Sequence, residues 1–428
     1  MALSTQAVAS KYQKLDEYLE TLSANDKMMV SVELEQNGKT VYSKQVGYAN
    51  VESQQKLTEN SRFRVGSISK TVTATVVMKL KEMGKLKLSD TLDSFYPEIE
   101  NAKDITIEHL LSHRSGIFNF TNDRTYPGYM LTPQSKSDLL KIIAAFPSQF
   151  VPGSEHEYSN SNYVLLGYIA EDVSGKTLRQ LVADHIAKPL ELKNTYLADD
   201  SPRAKEEVFS YRYTGQWQRM PDTAMSIPFG AGAVVSTASD INMFMTGLFT
   251  GKLVSNDSLE QMKKINQGYG FGLMQFPFYE RRALGHNGGI DGFVSNASFI
   301  EEEQLALTVL ANGVNYEFNG VLIAALSSHF DKPFDVPDFS ATAIELSDEQ
   351  LKAFVGEFES KQLPMDIKVF MQGEQLMAQA TGQGPFPLTP FGVLEFRFEP
   401  AGIVLVFDTE KRSFELFQGG GKYQFTIK

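Results

Sequence analysis

The chain has 428 residues, 42% hydrophobic and 21% charged, enough apolar material for a sizeable core and a length that suggests two or three domains. Its net charge of -12 offers no basic excess to neutralise phosphates, so nucleic acid is not an expected partner. Cysteine is absent, which removes disulfides, a thiol nucleophile and thiolate metal sites, and no apolar run is long enough to span a bilayer.

The opening MALSTQAVASKYQKLDEYLE lacks the basic-then-apolar order of a secretory signal. It reads as an amphipathic helix with Leu15, Tyr18, Leu19 and Leu22 on one face. Either the protein is cytoplasmic, or a removed signal was replaced by a start Met and it is periplasmic or secreted; both stay open. Two strand-like runs follow, Met29–Glu35 and Lys39–Tyr48, joined by Asn37-Gly38, a strong hairpin signal. After a polar connection, 52–61, comes RVGSISKTVTATVVMKLKEMG (64–84), which predicts a helix. Region 104–249 is mostly helical: Asn162–Val173 presents Val164, Leu165, Tyr168, Ile169 and Val173 on one face and stops at Gly175, and Thr237–Leu248 forms another short helix with Ser236 or Thr237 as cap. Strands return at Phe293–Ile300 and Gln304–Leu310, then a helix at Val321–Phe330. A sheet built from the first hairpin and the late strands brings the two ends of this region together.

Residues 331–346 (DKPFDVPDFSATAIEL) are Pro-punctuated and aperiodic. Beyond them the pattern changes to period two: Ile367/Val369/Met371, Phe396/Phe398, Ile403/Leu405/Phe407, Phe414/Leu416 and Tyr423/Phe425/Ile427, with turn signals at Gln372-Gly373, Pro400-Ala401-Gly402 and Gly419-Gly420-Gly421. Short strands at this spacing predict a small antiparallel barrel or sandwich. The expected class is α/β (α+β): an antiparallel sheet flanked by helices, with an all-helical subdomain and a small C-terminal antiparallel β-barrel. The expected domains are 1–335, a linker at 336–346, and 347–428.

Three short patterns carry chemistry. Ser67 and Lys70, three apart at the head of a helix, can meet; a serine hydroxyl needs a neighbour to take its proton, and a lysine made neutral by burial can do so. The plain alternative is a hydroxyl and an ammonium on an ordinary helix, and Ser53–Lys56 repeats the spacing in a polar connection. Tyr158 and Asn160, two apart in an extended loop, point the same way; a phenol relays protons and an amide orients a lysine. Their plain alternative is a polar loop with Asn160 or Asn162 as helix cap, and Tyr48/Asn50 repeats the pattern upstream. His286-Asn287-Gly288-Gly289 lets a substrate approach main-chain N–H groups, or is only a Gly-rich bend in a strand with a structural histidine.

In the order S-x-x-K, Y-x-N, H-x-G, these motifs resemble the catalytic triplet of the serine β-lactamase and penicillin-binding-protein-like superfamily, in the branch of class C β-lactamases, DD-peptidases, D-aminopeptidases and esterases. FRVGSISK, ITIEHLLSHRSGI (105–117), VPGSEHEYSNSNYVLLGYIAEDVSG (151–175), GAGAVVSTASDINMF (230–244), YGFGL (269–273) and GHNGGIDGF (285–293) extend the likeness over about residues 8–330, and 347–428 resembles a lipocalin-like barrel appended to some members. The resemblance implies Ser67 as acyl-forming nucleophile and Lys70 as its proton acceptor. It makes Tyr158 the proton donor to the leaving group and has Asn160 bond Lys70 and a substrate amide. His286, supported by Asn287 and Gly288, stands in the third motif, and the N–H groups of Ser67 and Gly289 form the oxyanion hole. A histidine where β-lactamases carry a lysine supplies no permanent cation for a substrate carboxylate, which moves the expectation from efficient β-lactam hydrolysis toward D-peptides or esters.

Other polar groups draw simpler readings. His109 and His113 stand i, i+4 in EHLLSH, but no H-E-x-x-H accompanies them, and no metal or cofactor is expected. His156 lies in a polar loop, solvent-exposed by default. Trp217, with Tyr211 and Tyr213, either roofs the cleft or simply packs, and Glu301–Glu303 read as a solvated turn. The expected function is a serine hydrolase acting on a small-molecule or peptide substrate, with weak β-lactam hydrolysis as one alternative and a ligand-binding sensor without turnover as another. A homo-oligomer formed through the barrel is a further expectation.

Overall fold

The computed structural model describes residues 11–418 and 421–428. The start of the N-terminal helical stretch and Gly419-Gly420 of the last turn signal lie outside the described residues. The chain forms two compact units: one is Met29–Val314, and the other is built from residues before and after it.

The first unit is organised on a sheet whose strands run in the order Met274–Phe278, Arg281–Ile290, Phe293–Ile300, Leu305–Val314, Met28–Gln36, Lys39–Val46. The late strands thus lie beside the early hairpin, as their apolar runs require. Asn37 and Gly38 both take positive φ (53° and 71°), the backbone of a tight two-residue hairpin. The expected second strand, Lys39–Tyr48, divides at Gly47 (φ 92°), where a Cβ would lie 2.6 Å from the Met29 side chain. Beyond it Tyr48–Asn50 turns away and pairs with Gln55–Lys56. Strand Arg281–Ile290, which carries the third motif, has too many glycines to show a period-two pattern, yet it pairs in full register with Phe293–Ile300.

Helix Ser69–Glu82 is buried on every side from Ser69 to Met78, which explains its run of Val, Thr, Ala and Met rather than an amphipathic stripe. Helix Asn160–Ser174 packs against it and ends at Gly175, in the left-handed conformation (φ 70°) favoured by glycine after a helix. Helix Ala238–Phe249 is capped by Thr237, whose side chain accepts from the Asp240 N–H. Trp217 packs against Gly313 and Tyr213 (5.2 Å between rings), the packing alternative for this aromatic group. Glu301–Glu303 form a 3₁₀ turn in which Glu301 and Glu303 pair with Lys263 and Arg281.

In the second unit, helix Gln13–Ala24 buries Leu15, Tyr18, Leu19 and Leu22 and packs against helix Asn319–His329, where the Tyr12 hydroxyl meets His329 Nδ1 at 2.9 Å. The C-terminal residues form a nine-stranded antiparallel sheet that nearly closes on itself. Its two end strands, Phe386–Pro387 and Thr389–Pro390, are separated only by the buried Leu388. The interior is filled by Phe354, Phe358, Phe396, Phe407, Phe414 and Phe425, all buried, with ring pairs such as Phe354–Phe396 at 4.8 Å and Phe414–Phe425 at 5.0 Å. Such pairs contribute about 0.5–1.5 kcal/mol each beyond area burial. This interior is a packed core rather than a ligand cup.

Candidate active site

Ser67 does not sit on the helix but in a 3₁₀ turn, Gly66–Ile68, that leads into it. Lys70 is one residue inside the helix and fully buried. Its Nζ lies 2.9 Å from Ser67 Oγ, 2.7 Å from Asn160 Oδ1 and 2.9 Å from the Ala231 carbonyl oxygen. Burial holds its pKa well below the ordinary lysine value. A neutral amine has two N–H groups and one lone pair. In that form the Asn160 and Ala231 oxygens, which only accept, would take both N–H groups and leave the lone pair facing Ser67 Oγ.

Asn160 begins helix Asn160–Ser174 and is held from three sides. Its backbone N–H donates to Asn119 Oδ1 (3.0 Å), its Nδ2 to Thr121 Oγ1 (2.9 Å), and its Oδ1 accepts from Lys70. Ser159, not Asn160 or Asn162, is the N-cap residue, with extended backbone that turns Tyr158 toward the same centre. The Tyr158 hydroxyl faces Ser67, and Lys70 Nζ lies 4.8 Å from its ring centroid. Burial pushes the Tyr158 phenol well above its ordinary pKa, so it carries its proton at neutral pH.

His286 lies beside Tyr158, with ring centroids 6.2 Å apart, but both of its nitrogens are engaged. Nδ1 donates to the Asn287 carbonyl oxygen at 2.5 Å, which leaves Nε2 to accept from the Tyr269 hydroxyl at 2.9 Å. Burial lowers its pKa to about 3, so the ring is neutral. Asn296 Nδ2 donates to Asn287 Oδ1 at 2.7 Å, which aims the Asn287 amide. Gly288 and Gly289 bring this strand against the Ser67 turn. A Cβ on Gly288 would lie 2.1 Å from the Val65 carbonyl oxygen, and one on Gly66 would lie 2.7 Å from Gly289 N. The Gly289 N–H and the Ser67 turn therefore share one corner of the site, as an oxyanion hole requires.

The look-alike pairs fall elsewhere. Lys56 is exposed, its Nζ 3.6 Å from the Tyr48 ring centroid, and Asn50 Oδ1 accepts from the Ser53 N–H. His109 serves in a capping box with Thr106, so its partner is a helix end. Three contributors carried little or no signal in the sequence. Ala231 acts through a main-chain oxygen; Tyr269 is an aromatic between glycines; His113, weighed in the sequence as a metal ligand and set aside, lies under Tyr158 with ring centroids 4.4 Å apart. His156 is half-buried, 6.2 Å from His113 and 5.9 Å from Tyr269 between ring centroids, rather than solvent-exposed. Among the described residues no cluster of His, Cys, Asp or Glu has the arrangement of a metal site.

Several known proteins are similar to this chain. The Beta-lactamase family profile matches residues 19–327. The candidate penicillin-binding protein PbpX of Bacillus subtilis (strain 168) is 30% identical over 305 residues, covering 70% of this chain and 73% of that protein. The teichoic acid D-alanine hydrolase of Staphylococcus aureus is 27% identical over 314 residues, covering 71% and 75%. Among solved structures, the D-amino acid amidase from Ochrobactrum anthropi SV3 in complex with D-phenylalanine superposes with a TM-score of 0.68 at 24% identity, covering 75% of this chain and 99% of that one. The octameric penicillin-binding protein homologue from Pyrococcus abyssi also gives 0.68, at 23% identity over 97% and 99% of the two chains, so its fold matches through the C-terminal barrel as well.

Proposed function

From the premise that the chain belongs to the Beta-lactamase family and is a serine hydrolase of the peptidase and amidase type, we propose that it forms an acyl-enzyme on Ser67 from amides or esters of D-amino acids. The observation that carries this is the set of three contacts at Lys70. Two acceptors fix the neutral amine so that its lone pair faces Ser67 Oγ. Ser67 Oγ attacks the substrate carbonyl carbon while its proton passes to Lys70 Nζ. The carbonyl oxygen becomes an oxyanion between the N–H groups of Ser67 and Gly289. Tyr158 gives its proton to the leaving nitrogen or oxygen, the carbonyl re-forms, and Lys70 returns a proton to Tyr158. Water then repeats the attack and releases the acid. General base and acid each contribute typically ~10²–10⁴-fold, and one oxyanion donor ~10²–10³-fold.

His286 argues against β-lactams as the preferred substrate. Neutral, buried and bonded through both nitrogens, it offers no cation to the carboxylate that penicillins and cephalosporins carry. The relatives named for D-alanine and D-amino acid substrates support the same direction. The test is a panel on wild type and Ser67→Ala: a p-nitrophenyl ester, a D-amino-acid anilide, a D-Ala-D-Ala peptide and a chromogenic cephalosporin, with fluorophosphonate labelling. Ester or D-substrate turnover should exceed cephalosporin turnover, and the label should vanish in Ser67→Ala. An unlabelled wild type, or faster cephalosporin hydrolysis, refutes the proposal. Assembly through the barrel belongs to the same reading, supported by the octameric homologue and by a barrel whose interior is full. Light scattering on the intact chain that returned the mass of one copy would remove it.

A further inference from the structure

His113 sits at a point where one residue can govern Tyr158. Its carbonyl oxygen accepts from the Glu157 N–H at 3.0 Å, and its Nδ1 accepts from the Ser159 N–H at 3.2 Å. The residues on both sides of Tyr158 are thus tied to His113, and its ring packs on the Tyr158 ring with centroids 4.4 Å apart and planes inclined by 41°. Nδ1 also lies 3.1 Å from Asn162 Nδ2. Two donors on Nδ1 fix the tautomer, so Nε2 carries the hydrogen; that atom is buried without a hydrogen-bond partner. The rings of Tyr163 (5.1 Å) and Tyr269 (4.5 Å) enclose the imidazole from other sides.

The backbone adds an independent sign. His113 has φ 56°, a left-handed conformation uncommon outside glycine, while it is fully buried in the protein interior. Strain of this kind persists where the surroundings over-determine it, and it gathers at functional sites. Here it has a visible consequence: the turned backbone aims the carbonyl at Glu157 and the ring at Ser159 together.

We infer that His113 is a positioning residue that holds the Tyr158 hydroxyl on the line between Ser67 and the leaving group. The inference rests on the reading of Tyr158 as proton donor to that group. The groups that face Tyr158 are Ser67 and Lys70 from the nucleophile turn and helix, Tyr163 from the following helix, Tyr269 and His286 from the third-motif side, and His113 beneath. His156 lies one ring further out. Of these, His113 is the one bonded to both neighbours of Tyr158 in sequence.

A leaving-group comparison tests it. An anilide expels nitrogen that must be protonated, whereas p-nitrophenolate departs without a proton. A misplaced Tyr158 therefore slows acylation by the anilide more than by the ester. His113→Gly keeps the left-handed backbone but removes acceptor and ring. His113→Asn also tolerates that backbone and keeps an acceptor at the δ position. His113→Phe keeps a ring and removes the acceptor. kcat/KM is read per site counted by end-point fluorophosphonate labelling of the intact chain. For the anilide we expect losses of about a hundredfold in His113→Gly and about tenfold in His113→Asn, of the order a misplacement near 1 Å produces. His113→Phe should fall between them, and the ester should lose less than about threefold throughout. Equal losses on the two substrates, or anilide rates at the wild-type level in any variant that labels, overturn the inference. Should the glycine or phenylalanine variant fail to fold, His113→Asn decides alone by the same ratio. Tyr158→Phe separates the two levels: if it leaves the anilide-to-ester ratio unchanged, the reading of Tyr158 fails, whereas a lowered ratio there beside an unchanged ratio in the His113 variants removes only the role of His113.

Discussion

In the proposed role of base, Lys70 must keep its amine neutral, and its hydrogen-bond partners bring no charge that opposes this. Its three hydrogen-bond partners among the described residues are a hydroxyl, an amide oxygen and a main-chain oxygen, none of them charged. A carboxylate in the same place would stabilise the ammonium and raise its pKa. Asn160→Asp puts one there with almost no change of shape. The acid limb of the kcat/KM profile should then move to higher pH, and each unit of movement costs about tenfold in rate below the new value. A profile that stays in place in a folded, labelled Asn160→Asp variant removes Lys70 from the role of base. The side chains of the three motifs were legible in the sequence because each is a distinctive polar group in a set order, whereas the roles of Tyr269 and His113 were not. The Ala231 carbonyl was not, since every residue has one, and neither was the burial that lowers the Lys70 pKa, which depends on helices far apart in the chain.

At the scale of elements, the site is the meeting of a turn, Gly66–Ile68, with a strand, Arg281–Ile290, and glycine decides how close they come. Gly66 combines positive φ (53°) with a neighbour, Gly289 N, 2.7 Å from where a Cβ would stand. Gly66→Ala therefore adds two costs: about 1–2 kcal/mol for the left-handed conformation and a push on one wall of the oxyanion site. Loss of kcat/KM should be at least about a hundredfold, of the order of losing one oxyanion donor, in protein that still folds. If activity per labelled site fell by less than threefold, the contact between turn and strand would carry no catalytic geometry. The same glycines explain what sequence patterns miss. Helix Ala238–Phe249 and strand Phe293–Ile300 showed their period and their caps, whereas Arg281–Ile290 shows too little apolar alternation to be read as a strand. The break at Gly47 was hidden for a related reason, because its positive φ and the packing of Met29, which together favour glycine there, exist only in the folded chain.

For the whole molecule, buried titratable groups set opposite limits on stability as pH changes. His286, with a folded pKa of about 3 against 6.5 when unfolded, binds its proton more readily in the unfolded chain. Its contribution is complete above pH 6.5 and is lost as pH falls toward 3; His113, also lowered by burial, acts in the same direction. Glu317 does the reverse. It lies in the second unit, where a Cβ on Gly402 would stand 2.4 Å from its carboxyl carbon and one on Gly320 2.9 Å from its Oε1. Burial raises its pKa from 4.5 to about 7. Between those values the folded chain holds a proton that the unfolded chain has released, so stability declines as pH rises through that window, and the penalty is complete above it. Glu317→Gln keeps the shape and removes the charge. It should raise Tm by about 1–2 °C at pH 8, after discounting for partial exposure, and leave it unchanged well below the unfolded value, at about pH 3, where both states hold the proton. Thermal melts of wild type and variant at the two pH values read the difference directly. An equal shift at both would mean that the glutamine acts through packing, and a lower Tm at pH 8 would mean that the Glu317 carboxylate is stabilising in its ionised form.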